Sequence, residues 1–123
     1  MFELRQSSVF EASHILYSMP EGHKCRRLHG HRYHVTVAAR GTPGDDGIII
    51  DYLMMEAQLN DVLSLLDHRH LNDIGGFEKN PTTENLCKWI WNRMLPSIGD
   101  LLYSVSVNET DTATCIYYGH LPR

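Results

Sequence analysis

The stretch from Cys25 to His31 constrains this chain most, because it places a thiol and two imidazoles within seven residues. His29 and His31 are two positions apart, so on a β-strand both side chains lie on one face, about 6.6 Å apart along the chain. Two imidazoles so placed can bind one metal ion, and a catalytic zinc takes three protein ligands and keeps one open position. The third ligand should come from elsewhere, and the nearest upstream candidate is His14.

The composition predicts one globular domain over residues 1–123 that does not bind nucleic acid or membranes. The 42% hydrophobic content excludes a disordered chain, and no apolar run is long enough to span a bilayer. The net charge of −4 comes without a basic face, which argues against general nucleic-acid binding. The N-terminus lacks the pattern of a signal peptide, and the three dispersed cysteines do not form a disulfide framework. We therefore expect a cytoplasmic protein.

Two alternating segments place the three histidines on apolar strand faces. Residues 2–13 and residues 29–41 both alternate between apolar and polar side chains, which predicts two half-buried strands. His14, His29 and His31 fall on the apolar parity of these strands. The alternative for each one is a hydrogen-bonded histidine of the core, but three such residues beside a cysteine favour a metal site.

Two amphipathic helices are expected between the strand pairs. Asp51 is suited to cap the first, whose apolar stripe is Met55, Leu59, Val62 and Leu66. Residues 80–85 carry N-terminal signals for the second, with Pro81 near its start. Its core stripe is Leu86, Ile90 and Met94, and Pro96 is expected to end it.

Residues 100–109 and 112–118 predict the last two strands, joined by a tight turn. Glu109 ends the apolar parity of the first of these strands, where a carboxylate is costly without a specific partner. The order ββααββ predicts an α+β domain, with a four-stranded antiparallel sheet that carries both helices on one face. The other face is polar and the sheet edges are open, so we expect copies to join into a barrel-forming homo-oligomer.

A basic cluster surrounds the metal motif, and it consists of His23, Lys24, Arg26, Arg27 and Arg32. In an acidic protein such a cluster can mark a site for an anionic small molecule, although ordinary loop charge is an equal alternative.

Several motifs together resemble the 6-pyruvoyltetrahydropterin synthase superfamily, which has the tunnelling (T-) fold. They are residues 10–14 (FEASH), 25–31 (CxxxHGH), 66–68 (LDH) with 71–72 (LN), 81–85 (PTTEN) with 89–91 (WIW), and 107–110 (VxET). The match covers nearly the whole chain. The short length and residues 20–25 (PEGHKC) are most similar to the bacterial 6-carboxytetrahydropterin synthase branch, which acts in the 7-deazaguanine (queuosine) pathway.

The resemblance implies a role for each of these motifs. It makes His14, His29 and His31 ligands of a Zn²⁺ cofactor, and Cys25 a catalytic base that pairs with His68 and Asp67. Glu109 would anchor the pterin, with Thr82 and Thr83 near its ring, and the assembly would be a hexamer. His70 departs from the pattern because it creates a second His-x-His with His68, and we interpret it as an outward-facing loop residue rather than a second metal ligand.

The implied activity is that of a zinc-dependent lyase acting on a pterin triphosphate. Such an enzyme converts dihydroneopterin triphosphate to 6-carboxytetrahydropterin and releases acetaldehyde and triphosphate. The first alternative is a 6-pyruvoyltetrahydropterin synthase, which eliminates triphosphate but keeps the side-chain carbons. The second is a zinc-binding T-fold module without catalysis, which would have no need of Cys25, Asp67, His68 or Glu109.

Overall fold

A long hairpin forms the centre of the sheet in the computed structural model, which describes residues 1–119. Strand β1 (Phe2–His14) pairs antiparallel with strand β2 (His29–Gly41), in a register that runs from Phe2 opposite Gly41 to His14 opposite His29. The two strands predicted from alternation are therefore confirmed. Their register brings His14 directly across from His29 at one end of the sheet.

Helix α1 (Tyr52–Ser64) follows the hairpin and is capped by Asp51, whose side chain accepts a hydrogen bond from the backbone N–H of Leu53. The helix ends before Leu66, which was predicted to belong to its stripe. Leu66 is nevertheless fully buried, because its N–H bonds back to the carbonyl of Leu63 in a tight turn.

Helix α2 (Thr83–Ile98) begins after Thr82, as its N-terminal signals predicted. The prediction that Pro96 ends this helix is wrong, because Pro96 lies inside its last turn. Proline costs the helix one N–H donor there. The helix continues because Ile98 is buried and because the N–H of Gly99, at a φ of 67°, closes onto the carbonyl of Leu95.

The sheet has five strands in the order β3-β1-β2-β4-β5, which corrects the prediction of four. The extra strand β3 (Arg69–His70) is two residues long and pairs parallel to β1 at Ala12 and Ser13. So short a segment leaves no alternation for sequence patterning to detect. Strands β4 (Leu102–Thr110) and β5 (Ala113–Tyr117) form the predicted C-terminal hairpin.

Both helices pack on one face of the sheet, where they bury a single hydrophobic core. Tyr33, Val35 and Val37 of β2 contribute to it, together with Met55 and Leu59 of α1 and residues of α2. The opposite face carries the polar side chains, among them the hydrogen-bonded pair Ser7 and Thr36. Within residues 1–119, no helix is both long enough and apolar enough to cross a membrane.

Candidate metal centre and the adjoining pocket

Three histidines converge at the end of the β1–β2 hairpin. Their ligand atoms lie within 4.8 Å of one another, and the Nε2 atoms of His14 and His29 are 2.9 Å apart. The strand register explains this arrangement, because His14 lies opposite His29, and His31 follows two positions along on the same face. The structure thus brings together the three residues that the sequence singled out.

Hydrogen bonds to backbone carbonyls fix two of these rings with Nε2 directed into the cluster. His14 Nδ1 donates to the carbonyl of Pro81 at 3.1 Å, and His29 Nδ1 donates to the carbonyl of Arg27 at 2.6 Å. An imidazole that donates through one nitrogen presents the lone pair of the other, which is the arrangement typical of a metal-binding histidine. The sequence could not identify these two acceptors, because every residue has a backbone carbonyl and no residue type marks the ones that accept.

Tyr33 also belongs to the surroundings of His14, since its hydroxyl lies 3.2 Å from the same Nδ1 atom. Burial raises the pKa of Tyr33 well above its ordinary range, and the nearby Glu109 carboxylate adds to this shift. The tyrosine therefore stays neutral. Tyr33 lies two residues after His31, so both side chains are on the same face of β2. This spacing could have identified Tyr33 from the sequence as a neighbour of the histidine cluster.

Burial disfavours the charged form of His14 and His31. His14 is fully buried, and the cost of charging it there, increased by its histidine neighbours, lowers its pKa to about 4. Burial likewise lowers the pKa of His31. His31 Nε2 is buried and has no hydrogen-bond partner within residues 1–119. A metal ion would satisfy this atom, so the three histidines fit a metal centre.

Glu109 adds a carboxylate beside the histidines. Its Oε1 atom lies 3.3 Å from Nε2 of His31 and 3.6 Å from Nε2 of His14. Glu109 also lines a pocket together with Thr83, Glu84 and Cys115. The Glu109 carboxylate therefore has the histidine cluster as a partner on one side, and on the other side it faces the pocket, where a ligand could bind it.

The two threonines that the resemblance implicated have different local contacts. Thr82 caps α2, since its hydroxyl oxygen accepts a hydrogen bond from the backbone N–H of Asn85 at 3.2 Å. Thr83 donates to Glu84 at 3.0 Å and lines the same pocket as Glu109. Thr83 is therefore the one of the two that the structure places in the pocket, while Thr82 has a structural role at the start of the helix.

Cys25 lies in a short 3₁₀ helix (Lys24–Arg26) within the loop between β1 and β2, and it is half-buried. Its carbonyl accepts a hydrogen bond from the N–H of Leu16 at 2.8 Å, and its own N–H donates to Nδ1 of His23 at 3.0 Å. These two hydrogen bonds hold the backbone of Cys25 in place. In the sequence, Cys25 precedes the clustered residues His29 and His31 by four and six positions.

Asp67 and His68 form an ion pair in the turn after α1. His68 Nδ1 lies 2.9 Å from Asp67 Oδ2, and this contact raises the pKa of His68 above its ordinary value. The pKa of Asp67 is lowered, first by the hydrogen bond from the backbone N–H of Glu11 and then by His68. His68 has a positive φ of 57°, which is strained for a histidine, and its N–H donates to the carbonyl of Glu11. Asp67 in turn accepts from the N–H of Glu11, so the pair is fastened to β1.

The implied pairing of Cys25 with His68 stays a prediction. Within residues 1–119 of one chain, no hydrogen bond or ion pair joins these two residues. The side chain of His68 is 75% exposed, so its outer face is accessible to another molecule.

His70 lies in β3, half-buried, with its Nδ1 atom 2.9 Å from the hydroxyl of Ser13. It is therefore less outward-facing than the sequence suggested. It is absent from the group of metal-binding candidates among the described residues, which consists of His14, His29 and His31.

Comparison with known proteins identifies the family. A family model described as 6-pyruvoyl tetrahydropterin synthase matches residues 3–120. The chain belongs to this family. The resemblance inferred from the motifs is thereby confirmed, and so is the α+β T-fold.

Individual members of the family support the same assignment. The chain is 34% identical to a 6-pyruvoyl tetrahydrobiopterin synthase of Dictyostelium discoideum, over 94% of this chain and 95% of that protein. It is 38% identical to a 6-carboxy-5,6,7,8-tetrahydropterin synthase of Synechocystis, over 96% and 94%. The solved structure of Caenorhabditis elegans 6-pyruvoyl tetrahydropterin synthase superposes with a TM-score of 0.86 at 25% identity, covering 97% of this chain and 96% of that one. These proteins are all synthases, which confirms the expectation of an enzyme.

Proposed function

We propose that this chain is a zinc-dependent lyase that converts dihydroneopterin triphosphate to 6-carboxytetrahydropterin, with release of acetaldehyde and triphosphate. The observation that carries the proposal is the cluster of three histidines beside Glu109, in which the Nε2 atom of His31 is buried and makes no hydrogen bond with the described residues. Three imidazoles with one open position are the ligand set of a catalytic zinc site. A carboxylate next to that position can hold an organic substrate against the metal.

Glu109 anchors the pterin in this proposal. The edge of a pterin ring offers two parallel N–H donors, and a carboxylate can accept both in a bidentate contact. Glu109 suits this task because it lies between the histidine cluster and the pocket that contains Thr83. A ring held there directs its side chain towards the three histidines.

Zinc held by His14, His29 and His31 would supply a Lewis acid that lowers the pKa of the substrate's side-chain hydroxyls and polarises a carbonyl. Cys25, as a thiolate, removes protons from the side-chain carbons. His68 is the cationic partner of the thiolate, and Asp67 favours the charged imidazole through the contact already described. Since His68 and Cys25 are not joined within one chain, we propose that the pair forms in the assembled oligomer.

The choice of product and pathway goes beyond the family. The Synechocystis relative is named a 6-carboxy synthase, and so is a Bacillus subtilis relative that is 29% identical over 94% of this chain and 84% of that protein. They support the 6-carboxy product. From the resemblance we further propose a role in 7-deazaguanine (queuosine) synthesis in the cytoplasm. The Dictyostelium relative favours the second candidate, a 6-pyruvoyltetrahydropterin synthase.

Product analysis tests the proposal. Zinc-loaded protein is incubated with dihydroneopterin triphosphate, and the products are measured by mass spectrometry and by an assay for acetaldehyde. We expect 6-carboxytetrahydropterin and acetaldehyde in equal amounts. A 6-pyruvoyl product without acetaldehyde would replace the first candidate by the second. If the substrate were unchanged, the proposed activity would be excluded, and the remaining candidate would be a zinc-binding module without catalysis.

A further inference from the structure

The 3₁₀ helix that carries Cys25 is fastened to the metal centre on both sides. On one side, the N–H of Leu16, two residues after the ligand candidate His14, donates to the carbonyl of Cys25 at 2.8 Å. On the other, the carbonyl of Arg27 accepts the 2.6 Å hydrogen bond from His29 Nδ1. The position of Cys25 relative to the histidine cluster is therefore set by the backbone of this short helix.

His23 closes the start of the same helix with its side chain. It occupies the N-cap position in an extended conformation, with φ −69° and ψ 134°, and its Nδ1 accepts the N–H of Cys25 at 3.0 Å. The first N–H groups of any helix lack partners within the helix, so an acceptor at the N-cap holds them in place. Arg26 of the same helix donates from Nη1 to the carbonyls of Tyr17 and Met19, whereas the His23 side chain bonds to Cys25 itself.

We propose that His23 is a positioning residue for Cys25, which it holds at the metal centre by capping the 3₁₀ helix. The imidazole acts here only as a hydrogen-bond acceptor. This inference rests on the proposed function, in which Cys25 is the catalytic base.

The chain itself shows which substitution should preserve the cap. Asp51 caps α1 by the same contact, since its side-chain oxygen accepts the N–H two residues later, at 2.9 Å from Leu53. Asparagine has a side-chain oxygen in the same place and is among the preferred N-cap residues, whereas alanine and glutamine are poor caps. His23→Asn should therefore keep the contact without adding charge, and His23→Ala and His23→Gln should remove it.

The experiment compares these three variants in zinc-loaded protein, with Glu21→Ala as a control at an exposed position in the same loop. Amide hydrogen exchange of the peptide that contains Cys25 reports on the cap directly and needs no activity. Turnover of dihydroneopterin triphosphate reports on the position of the thiol.

We expect faster exchange at Cys25 in His23→Ala and His23→Gln, with kcat lowered about tenfold and with KM and zinc content unchanged. His23→Asn should restore both protection and kcat to near the wild-type values. Faster exchange with an unchanged kcat in the alanine variant would overturn the proposal. Restored protection without restored kcat in the asparagine variant would also overturn it. The imidazole of His23 would then affect turnover by some means other than the hydrogen bond to Cys25. Full turnover in Cys25→Ala would instead remove the base of the proposed function, while the exchange data would still report on the cap.

Discussion

The Nε2 atoms of His14 and His29 lie 2.9 Å apart, because the register of β1 and β2 places these residues directly opposite each other. Both rings donate through Nδ1 to a carbonyl, so in this tautomer two lone pairs face each other. Such an arrangement is unfavourable unless a cation lies between them. With these ring orientations, the cluster could hold a metal ion in place of a hydrogen bond between the imidazoles.

We predict about one zinc per chain, lost in His29→Ala and in His31→Ala. Zinc binds the native state and should raise the thermal unfolding midpoint, in proportion to the logarithm of its concentration above Kd. His34→Ala is the matched control, because His34 is an exposed histidine on the same strand. Elemental analysis that finds full zinc in both ligand variants would contradict the metal site.

Glu109→Gln should weaken pterin binding and leave the zinc content normal. The amide replaces one acceptor by a donor, so one of the two N–H groups of the pterin edge meets another donor. A buried mismatch of this kind costs about 1–3 kcal/mol. Binding measured by pterin fluorescence tests this, with Glu56→Gln on the exposed side of α1 as the control. Equal affinity in the Glu109 variant would remove this carboxylate from the site.

Asp67→Asn should lower the pKa of His68 from its raised value towards the ordinary 6.5. The cause is the loss of the hydrogen bond and charge of the carboxylate, which favour the protonated ring. A raised pKa stabilises the native state fully below pH 6.5, and this contribution is lost as the pH rises through the folded-state value. NMR titration of the His68 ring measures the shift, and Asp61→Asn on α1 should leave it unchanged. A His68 pKa that does not respond to Asp67→Asn would exclude the ion pair as its cause.

We predict that the chain assembles through its sheet edges. Strand β5 forms one edge, and the N-terminal part of β1 is open on the other, since β3 covers only Ala12 and Ser13. Ile116 is a large apolar residue on β5 that is 46% exposed. A lysine there should prevent edge pairing, so Ile116→Lys should shift the protein to smaller species in light scattering. A stable, active wild-type monomer at micromolar concentration would contradict the assembly.

The parts of the fold that follow from periodicity were predictable. Alternation in residues 2–13 and 29–41 gave both central strands, and it placed all three clustered histidines on one face because side-chain direction follows parity. The N-cap residue Asp51 marked the start of α1, and the N-terminal signals in residues 80–85 marked the start of α2, by chemistry that is local in sequence.

Other features depend on tertiary contacts and left no such pattern. Strand β3 exists because two residues meet the edge of β1, and α2 passes Pro96 because burial of Ile98 outweighs one lost hydrogen bond. The carbonyls of Pro81 and Arg27 that orient the histidines are equally invisible in the sequence. The proposed pairing of Cys25 with His68 would belong to this class too, because in the proposed function it forms between copies of the chain.

The central claim is that Cys25 is a base beside a metal centre of three histidines, and the metal content and activity of Cys25→Ala test it together. We predict that this variant keeps its zinc and still binds the pterin, because three imidazoles complete the protein ligands of a catalytic site. Turnover should fall by about 10²–10⁴-fold, the usual contribution of a positioned general base. Loss of zinc in step with activity would make Cys25 a fourth ligand instead, and it would contradict the mechanism proposed for this enzyme.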